Sequence, residues 1–328
     1  MSFSHKIRVG VLRGGPSSEY EVSLKTGGNV LANLPEGCEP LDILISKEGI
    51  WHMYGLEKDP YQILKTVDVV VNAMHGAYGE DGTVQKIFER FNIPYTGSDS
   101  LSSAISMNKV LSKNIYKQNG LKTPYSMVIP SEKITKSSVR EIYQNMIPPF
   151  VVKPSNAGSS VGIYIANTLA ELEEAVTAAA KHSPTVLIEE FIKGKEATCG
   201  VIEDFRGQKY YALLPVEIRH GGEFFNYDSK YSENGAEEIC PGNFSQKEAK
   251  EIERLAVEAH KHLGLRHYSR SDFIIHPRRG IFVLETNSLP GLTERSLLPK
   301  ALKAVGSDTK EFIAHLLQIT LKNKYKFN

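Results

Sequence analysis

The chain has 328 residues, about two typical domain lengths, which is enough for a large core and a cleft between lobes. Its 39 lysines and arginines nearly balance its 38 aspartates and glutamates, so the net charge of +1 gives no sign of a nucleic-acid partner. Three widely spaced cysteines form neither a metal-binding pattern nor a disulfide framework, and no apolar stretch approaches the ~20 residues that cross a bilayer, so we expect a soluble cytoplasmic protein without a membrane partner.

Strands and helices alternate in the N-terminal part of the chain. Apolar runs predict strands at residues 7–12 and 67–73, and each is followed by a glycine-rich turn and a helix, at residues 19–34 and 83–91. Such alternation implies an α/β unit with a Rossmann-like parallel sheet, whose ligands bind at the carboxyl ends of the strands.

A second unit begins near residue 97. Its predicted elements are a helix at 109–119, strands at 150–153 and 161–166, a helix at 168–181 and a strand at 186–192. Asn108 is the expected N-cap of the first helix and Gly120 its stop signal, while Thr168 and Glu171 form a capping box for the second.

The last portion contains a long polar segment. Its predicted elements are strands at 196–201 and 210–217, a loop at 220–243, a helix capped by Ser245 and Glu248, a hairpin at 270–287 and a helix at 309–322. A loop of this length inside a compact domain is typical of a lid or a binding loop.

The hairpin carries the most informative cluster of polar residues. Alternation places Arg270 and Asp272 on one face of the first strand and Glu285 and Asn287 on one face of the second. Two carboxylates and one amide oxygen suit magnesium, which takes its remaining ligands from water and substrate phosphates. A solvated hairpin with a surface ion pair is the alternative, and the apolar residues of both strands argue against it because buried charges need partners.

A loop of small residues joins the strands at 150–153 and 161–166. Glycine and serine let backbone amides and hydroxyls approach an anion, and Lys153 adds a charge beside them, as does Lys109 at the start of a helix. The loop runs into a strand, so it is not a Walker P-loop. Phosphate binding is favoured over the alternative, a mobile surface turn.

The predicted strand at 186–192 combines apolar residues with two glutamates just before a loop. A purine needs an apolar slot with polar groups at its edge, and Glu189 and Glu190 in an apolar strand could supply them. An ordinary edge strand with solvated glutamates fits this segment equally well.

Together these segments resemble the ATP-grasp ligases, and within them the D-alanine–D-alanine ligases. The matching segments stand in order over nearly the whole chain, at residues 12–23, 75–76, 79–82, 94–97, 107–109, 152–162, 230–231 and 270–296. Each alone is weak, and their ordered co-occurrence is specific. The resemblance implies an ATP-grasp architecture with an N-terminal substrate-binding domain (1–100), a central lid lobe (101–188) and a C-terminal lobe (189–328) that carries the hairpin and the loop at 220–243.

The resemblance also implies the ligands of the nucleotide and of two magnesium ions, which manganese could replace. The implied ATP-binding residues are Lys109, Lys153, Ser160, Glu189, Glu190, Phe191, Ile192, Glu196 and Lys230. The implied metal ligands are Asp272, Glu285 and Asn287.

The substrate and catalytic residues follow in the same way. Glu19 and His75 would face the ammonium of the first D-alanine, and Arg270 with the Gly291 amide would form the oxyanion site. Ser296, followed by Leu297, would hold the carboxylate of the second D-alanine. Tyr231 on the long loop would bond to Ser159, and Ser159 would connect to Glu19.

The implied activity is the ATP-dependent ligation of two D-alanines through an acyl phosphate, with release of ADP and phosphate, for peptidoglycan precursor synthesis by a homodimer. Ala157 and Arg295 depart from the family pattern, and Arg295 puts the acceptor in question. A D-alanine–D-lactate or D-alanine–D-serine ligase is therefore an alternative, against which Tyr231 argues. A non-catalytic nucleotide-binding protein would have lost a metal ligand or Arg270, and a dinucleotide-dependent oxidoreductase would carry G-x-G-x-x-G in its first turn, which this chain lacks.

Overall fold

The computed structural model of the chain describes residues 6–156, 162–219 and 236–324. They form an α/β protein with three sheets. Within these ranges no helix is long and apolar enough to cross a membrane.

The five-stranded sheet of the N-terminal part has a parallel centre. Its strands are β1 (Ile7–Gly14), β2 (Cys38–Ile45), β3 (Trp51–Met53), β4 (Leu56–Glu57) and β5 (Val69–Asn72). They stand in the order β4-β3-β2-β1-β5, with β1 parallel to β2 and β5 and with β3 and β4 antiparallel. The accompanying helices are α1 (Tyr20–Ala32), α2 (Pro60–Leu64) and α3 (Thr83–Arg90). The parallel sheet expected from the sequence is present, and the antiparallel edge was not anticipated.

The second sheet has four antiparallel strands. Its elements in chain order are α4 (Ser100–Met107), α5 (Lys109–Gln118), β6 (Ser126–Pro130), a 3-10 turn (Ser131–Lys133), α6 (Lys136–Asn145), β7 (Phe150–Pro154), β8 (Tyr164–Ala166), α7 (Leu169–Ala179) and β9 (Thr185–Glu190). The strand order is β6-β9-β7-β8. This order puts β7 and β9 side by side at its centre.

The third sheet contains the hairpin. Its elements are β10 (Lys195–Phe205), β11 (Gln208–Ala212), β12 (Val216–Arg219), β13 (Glu237–Ile239), α8 (Gln246–His262), β14 (Tyr268–His276), β15 (Gly280–Asn287), α9 (Leu297–Ala304) and α10 (Thr309–Lys324). The strand order is β13-β12-β10-β14-β15, and β11 pairs with β10. The hairpin therefore lies beside the long strand β10, which supplies further residues to its surface.

Two predicted elements of this region need correction. Residues 210–217 are not one strand, since β11 ends at Ala212 and β12 begins at Val216. Pro215 between them has no N–H to donate to a ladder, which explains the break. The segment 220–243 is not all loop either, because β13 pairs with β12 inside it.

Of the two predicted capping boxes, one is present in full and the other in part. Ser245 and Glu248 form the reciprocal capping box that was expected for α8. Thr168 accepts a bond from the Glu171 N–H at the start of α7, but the Glu171 carboxylate accepts the N–H of Asn167 instead of completing the box. The helix starts where it was predicted, with a different partner for the glutamate.

Helices distant in sequence complete the cores. Tyr116 and Leu121, in α5 and just after it, lie in the core formed by β10, β14 and α8. Phe312 of α10 shares a core with Val9 and Val71 of the N-terminal sheet. The boundaries at residues 100 and 188 remain a prediction, and α5 packs with the lobe assigned to residues 189–328.

Candidate active site

The hairpin of β14 and β15 brings four polar side chains together. Arg270 stands opposite Asn287, and Asp272 stands opposite Glu285. A β-bulge after Asp272 shifts the register on the turn side of these pairs. The shift leaves the alternation of the four residues intact, so all four lie on one face of the hairpin.

Thr198 of β10 links the arginine to the aspartate. Its hydroxyl donates to Asp272 Oδ1 at 2.5 Å and accepts from Arg270 Nε at 2.9 Å. Arg270 also donates directly to Asp272, from Nε at 3.2 Å and from Nη2 at 3.3 Å. Burial opposes the charge of Arg270, but Asp272 outweighs it and raises the pKa of the guanidinium. The sequence analysis missed Thr198, although β10 pairs with β14 so that Thr198 stands opposite Asp272.

Lys109 supplies a cation to the second carboxylate. Asn108 caps α5 by accepting from the second and third N–H groups of the helix, so Lys109 is its first residue. The Lys109 N–H donates to the Ser155 carbonyl at 2.9 Å, which ties the helix to the end of β7. Lys109 Nζ lies 3.1 Å from Glu285 Oε2, and the Glu285 side chain is 35% exposed. The start of α5 thereby places an ammonium group against the hairpin.

The donor set of the hairpin fits magnesium in its chemistry. Asp272 and Glu285 offer carboxylate oxygens, and Asn287 donates through Nδ2 to Asp272 Oδ2 at 3.3 Å, which leaves its amide oxygen as a ligand. Among the described residues no three His, Cys, Asp or Glu side chains form a metal-binding group. A cation held by the oxygens of Asp272, Glu285 and Asn287 would take its remaining ligands from substrate oxygens and water, as magnesium commonly does.

A buried ion cluster lies between α5 and the second sheet. Glu189 of β9 has Lys153 Nζ at 2.8 Å from Oε2 and Lys113 Nζ at 2.5 Å from Oε1. Lys113 also donates to Thr123 Oγ1 at 2.7 Å. All three charged side chains are less than a tenth exposed. The sequence analysis found Lys153 and Glu189 and missed Lys113, although Lys113 follows Lys109 by one helical turn on the same face.

Burial and charge act against each other in this cluster. Burial lowers the pKa of Lys113 to about 8, although Glu189 opposes the shift. Burial alone would raise the pKa of Glu189, but Lys153 and Lys113 outweigh it and hold that pKa below its ordinary value. Glu189 is therefore a carboxylate that its two lysines keep ionised.

Glu190 is held differently from Glu189. Its carboxylate accepts two bonds from Arg279 in the hairpin turn, at 2.7 and 2.9 Å, and one from the Tyr125 N–H at 2.9 Å. The N–H groups of Glu190 and Phe191 donate to the backbone carbonyls of Tyr125 and Pro149. Glu190 thus fastens the second sheet to the hairpin.

The remaining residues of the expected nucleotide edge follow directly in the chain. Ile192 is buried, and Phe191 is partly buried beside it. Glu196 lies in β10 opposite Ile274 of the hairpin strand. The segment from Glu189 to Glu196 therefore runs from the second sheet to the third.

The residues expected near the first D-alanine lie at the carboxyl ends of β1 and β5. His75 is buried, with Nε2 at 2.8 Å from Thr26 Oγ1 and Nδ1 at 3.3 Å from Glu80 Oε1. Gly76 has a positive φ of 75°, and a Cβ there would lie 2.8 Å from Glu19 Oε2. Glycine at this position lets the backbone approach the carboxylate of Glu19 closely. His75 is buried with both ring nitrogens engaged, whereas the neighbouring Glu19 is only partly buried.

The residues expected near the second D-alanine follow the hairpin. A Cβ at Gly291 would lie 2.9 Å from Ser296 Oγ, so glycine leaves room for that hydroxyl. Ser296 Oγ lies 2.7 Å from Thr293 Oγ1 and accepts from the Thr293 N–H at 3.1 Å. Leu297 begins α9 directly afterwards and is partly buried. The turn thus holds Gly291 and Ser296 next to each other.

Four predicted site residues lie outside the described part of the chain, namely Ser159, Ser160, Lys230 and Tyr231. Ala157 is outside it as well. Their roles stay predictions.

The second and third sheets, with lysines and acidic residues where they meet, define the ATP-grasp class of fold. Family models agree with this class: residues 55–98 match the D-Ala D-Ala ligase N-terminus and residues 115–318 match the D-Ala D-Ala ligase C-terminus. The chain is 37% identical over 319 residues to the D-alanine–D-alanine ligase of Clostridium beijerinckii, an alignment that covers 96% of this chain and 99% of the relative. It is 36% identical over 314 residues to that of Geotalea uraniireducens, covering 94% of each. The chain therefore belongs to the D-alanine–D-alanine ligase family.

Solved structures give the same fold. The D-alanine–D-alanine ligase of Bacillus anthracis matches with a TM-score of 0.79 and 30% identity over 98% of this chain and all of the other. The VanG D-Ala:D-Ser ligase of Enterococcus faecalis matches with a TM-score of 0.84 and 29% identity over 96% of this chain and all of the other. A further structure of the Bacillus anthracis ligase, complexed with ATP, matches with a TM-score of 0.80 and 29% identity over 98% of this chain and all of the other.

Proposed function

We propose that this protein joins two molecules of D-alanine to D-alanyl-D-alanine with ATP, releasing ADP and phosphate, in the synthesis of peptidoglycan precursors. Membership of the family supports the reaction. The single observation that carries it is the hairpin face, where Arg270, Asp272, Glu285 and Asn287 lie together. A protein that had kept only nucleotide binding would have no use for an arginine placed beside the metal ligands.

ATP would bind between the second and third sheets. We assign its phosphates to Lys109 and Lys153, which approach from the start of α5 and from the end of β7. Lysine is a compact point charge suited to phosphate oxygens. The adenine and ribose would lie along the segment from Glu189 to Glu196, where an apolar strand end leads to acidic residues.

We assign magnesium to Asp272, Glu285 and Asn287, with manganese as a substitute. The hard oxygen donors of this face, few in number, favour such an ion. When bound, magnesium neutralises phosphate charge and orients the transferred group. Two ions fit the family pattern, since three side chains with several oxygens can share them.

Ligation then needs two steps. The carboxylate of the first D-alanine attacks the γ-phosphorus, which gives an acyl phosphate and ADP. The amine of the second D-alanine attacks the acyl carbon and loses a proton, and phosphate leaves. We assign the developing oxyanion to the N–H groups of Arg270 and to the Gly291 amide, because Thr198 and Asp272 already fix the guanidinium.

Each D-alanine would have its own anchor. Glu19, which Gly76 approaches closely, is the proposed partner for the first ammonium group, with His75 held beside it by Thr26 and Glu80. Ser296, followed by Leu297, is proposed for the carboxylate of the second D-alanine. Both assignments rest on the family pattern, and that of Ser296 also rests on its place shortly after the hairpin.

For Ser159, Ser160, Lys230 and Tyr231 we keep the roles that the family pattern gives them. Ser160 and Lys230 would contact the nucleotide phosphates. Tyr231 and Ser159 would lie near Glu19 and exclude water from the acyl phosphate, which would otherwise hydrolyse. We also propose a cytoplasmic homodimer, which cell fractionation and light scattering would test.

The acceptor is tested by one competition assay. The protein is incubated with ATP, magnesium and D-alanine, with D-serine and D-lactate added in equal amounts, and the products are separated. D-alanyl-D-alanine as the main product supports the proposal. D-alanyl-D-serine as the main product would instead make D-serine the acceptor. The fold similarity to a D-Ala:D-Ser ligase supports keeping this alternative in the assay. ADP formation without any dipeptide or depsipeptide would contradict ligation.

A further inference from the structure

The buried cluster of Lys113, Glu189 and Lys153 contains more positive than negative charge. One carboxylate stands between two ammonium groups, with one lysine at each of its oxygens. Lys113 is the deeper lysine, with 2% of its side chain exposed, and it is anchored a second time by Thr123. Lys153 is the lysine nearer the surface, at 8%. The three groups together carry a net charge of +1.

That surplus depends on Lys113. With Lys113 charged, Glu189 is neutralised from its far side and the charge of Lys153 remains uncompensated within the cluster. Without it, Glu189 and Lys153 would form a neutral pair. A neutral pair attracts a phosphate much less strongly than a net cation does in a site with little water.

A purely structural purpose explains Lys113 poorly. Burying an ammonium group costs free energy that an apolar side chain of similar length would not cost. The position faces the core side of α5 next to the fully buried Tyr116, where a methionine would pack without a charge. A charge is useful there only if its effect on Glu189 and Lys153 matters.

We propose that Lys113 is a positioning residue of the nucleotide site: it neutralises Glu189 and so leaves the charge of Lys153 available to the nucleotide phosphates. This inference rests on the proposed function, because it takes Lys153 as a phosphate-binding residue. In this proposal Lys113 touches no substrate and acts through Glu189 and Lys153.

The quantity to measure is the affinity for ADP divided by the affinity for adenosine. Both are measured by isothermal titration calorimetry at one magnesium concentration near neutral pH. The two ligands share the base and the ribose, so the ratio measures how much the two phosphates of ADP contribute to its affinity. We expect Lys113→Met to lower this ratio about tenfold, the effect of one lost interaction with a charged group. The affinity for adenosine should change less than about twofold.

Three further variants make the result specific. Lys113→Arg keeps the positive charge and should keep most of the wild-type ratio. The double variant Lys113→Met/Glu189→Gln leaves Lys153 as the sole charge of the three and should bring the ratio back to within about twofold of wild type, even if it weakens adenosine binding. Lys117→Met removes an exposed lysine of the same helix and should leave the ratio unchanged.

The KM values separate this role from general damage. Lys113→Met should raise the KM for ATP and leave the KM for D-alanine close to wild type. If Lys113→Met does not fold, wild type and Lys113→Arg carry the test through pH: the ratio should fall as the pH rises from about 7.5 to 9 in wild type and stay flat in Lys113→Arg.

Two results would overturn the proposal. One is an equal loss of ADP and adenosine affinity in Lys113→Met, or no loss of either. The other is a double variant whose ratio stays as low as that of Lys113→Met. Failure of the proposed function would look different, since wild-type protein would then bind ADP and form no dipeptide, and the ratio could still be measured.

Discussion

The carboxylates on the two sides of the proposed nucleotide site are held in contrasting ways. On the second sheet, Glu189 is 3% exposed and lies between two buried lysines. On the hairpin, Asp272 and Glu285 are 23% and 35% exposed, and Asp272 pairs with Arg270 while Glu285 pairs with Lys109. The first arrangement is closed to solvent, and the second is open to it.

The difference follows from what each carboxylate has to do. A carboxylate that balances lysines attracts them more strongly when all of these charges are buried, although burial itself costs free energy. A carboxylate that is to bind the magnesium ion of the nucleotide must be able to exchange its present cation for that ion. The open side should therefore be the more sensitive to substitution in catalysis, and the closed side in nucleotide affinity.

The largest effect is expected on the open side, from Glu285→Ala. It removes a carboxylate proposed to hold magnesium, and the loss of several kcal/mol of charge stabilisation corresponds to about a thousandfold in kcat. ADP release with D-alanine present measures it, and circular dichroism checks the fold. Glu251→Ala, which removes an exposed glutamate paired with Arg254, is the matched control. Substantial turnover by folded Glu285→Ala would remove the magnesium assignment.

Arg270→Lys should affect the second step more than ATP binding. Lysine keeps the charge but cannot contact Thr198 and Asp272 together with an oxyanion. The loss of one oxyanion donor predicts a decrease in kcat of about a hundredfold, with the KM for ATP almost unchanged. Steady-state kinetics with ATP and D-alanine varied in turn separates the effect on kcat from the effect on the KM for ATP. An unchanged kcat with weaker ATP binding would assign Arg270 to the phosphates instead.

Gly291→Ala should have a smaller effect, confined to the acceptor. The added Cβ would lie 2.9 Å from Ser296 Oγ and must push that hydroxyl away from Thr293. We expect about a tenfold higher KM for the second D-alanine, the effect of one lost hydrogen bond to a charged group. Gly28→Ala, in α1 with open space around it and no positive φ, changes a glycine elsewhere and controls for the substitution itself. Equal kinetics in Gly291→Ala and wild type would argue against an acceptor site at Ser296.

The two sides also differ in how far the sequence predicted them. Strict alternation through Arg270, Asp272, Glu285 and Asn287 has a period of two, which is a signal that a single sequence carries. Lys113 gives no such signal, because one lysine among 39 basic residues is distinguished only by its burial. Thr198 lies among small and apolar residues in the middle of β10, and its role depends on the pairing of β10 with β14.

The fold, like the site, was predicted from the sequence only in part. Several apolar strands and capped helices were found, including the capping box of α8, but the eight-residue strand β2 and the capped helix α6 were missed. The strands β3 and β4 at the edge of the first sheet were missed because they are only three and two residues long. Helix α4 was missed because five of its eight residues are serines or a β-branched isoleucine, which have modest helix propensity.

The smallest effect expected is a change with pH in the unmodified protein, and it tests the closed side. Burial lowers the pKa of Lys113 to about 8, so this lysine is charged near neutral pH and loses its proton as the pH rises through that value. The groups around it are Glu189 of β9, Lys153 of β7 and, on its own helix, Lys117. Loss of the proton should act like Lys113→Met, only less completely.

The ADP-to-adenosine affinity ratio of the wild-type protein should therefore fall severalfold between about pH 7.5 and 9, because Glu189 then neutralises Lys153. The ratio should fall and not rise with pH, because a lysine is charged below its pKa and neutral above it. Arginine stays charged throughout this range, so Lys113→Arg should have a flat ratio. An equal fall in Lys113→Arg and wild type would mean that another group titrates, and the closed cluster would then have no part in the pH dependence of nucleotide binding.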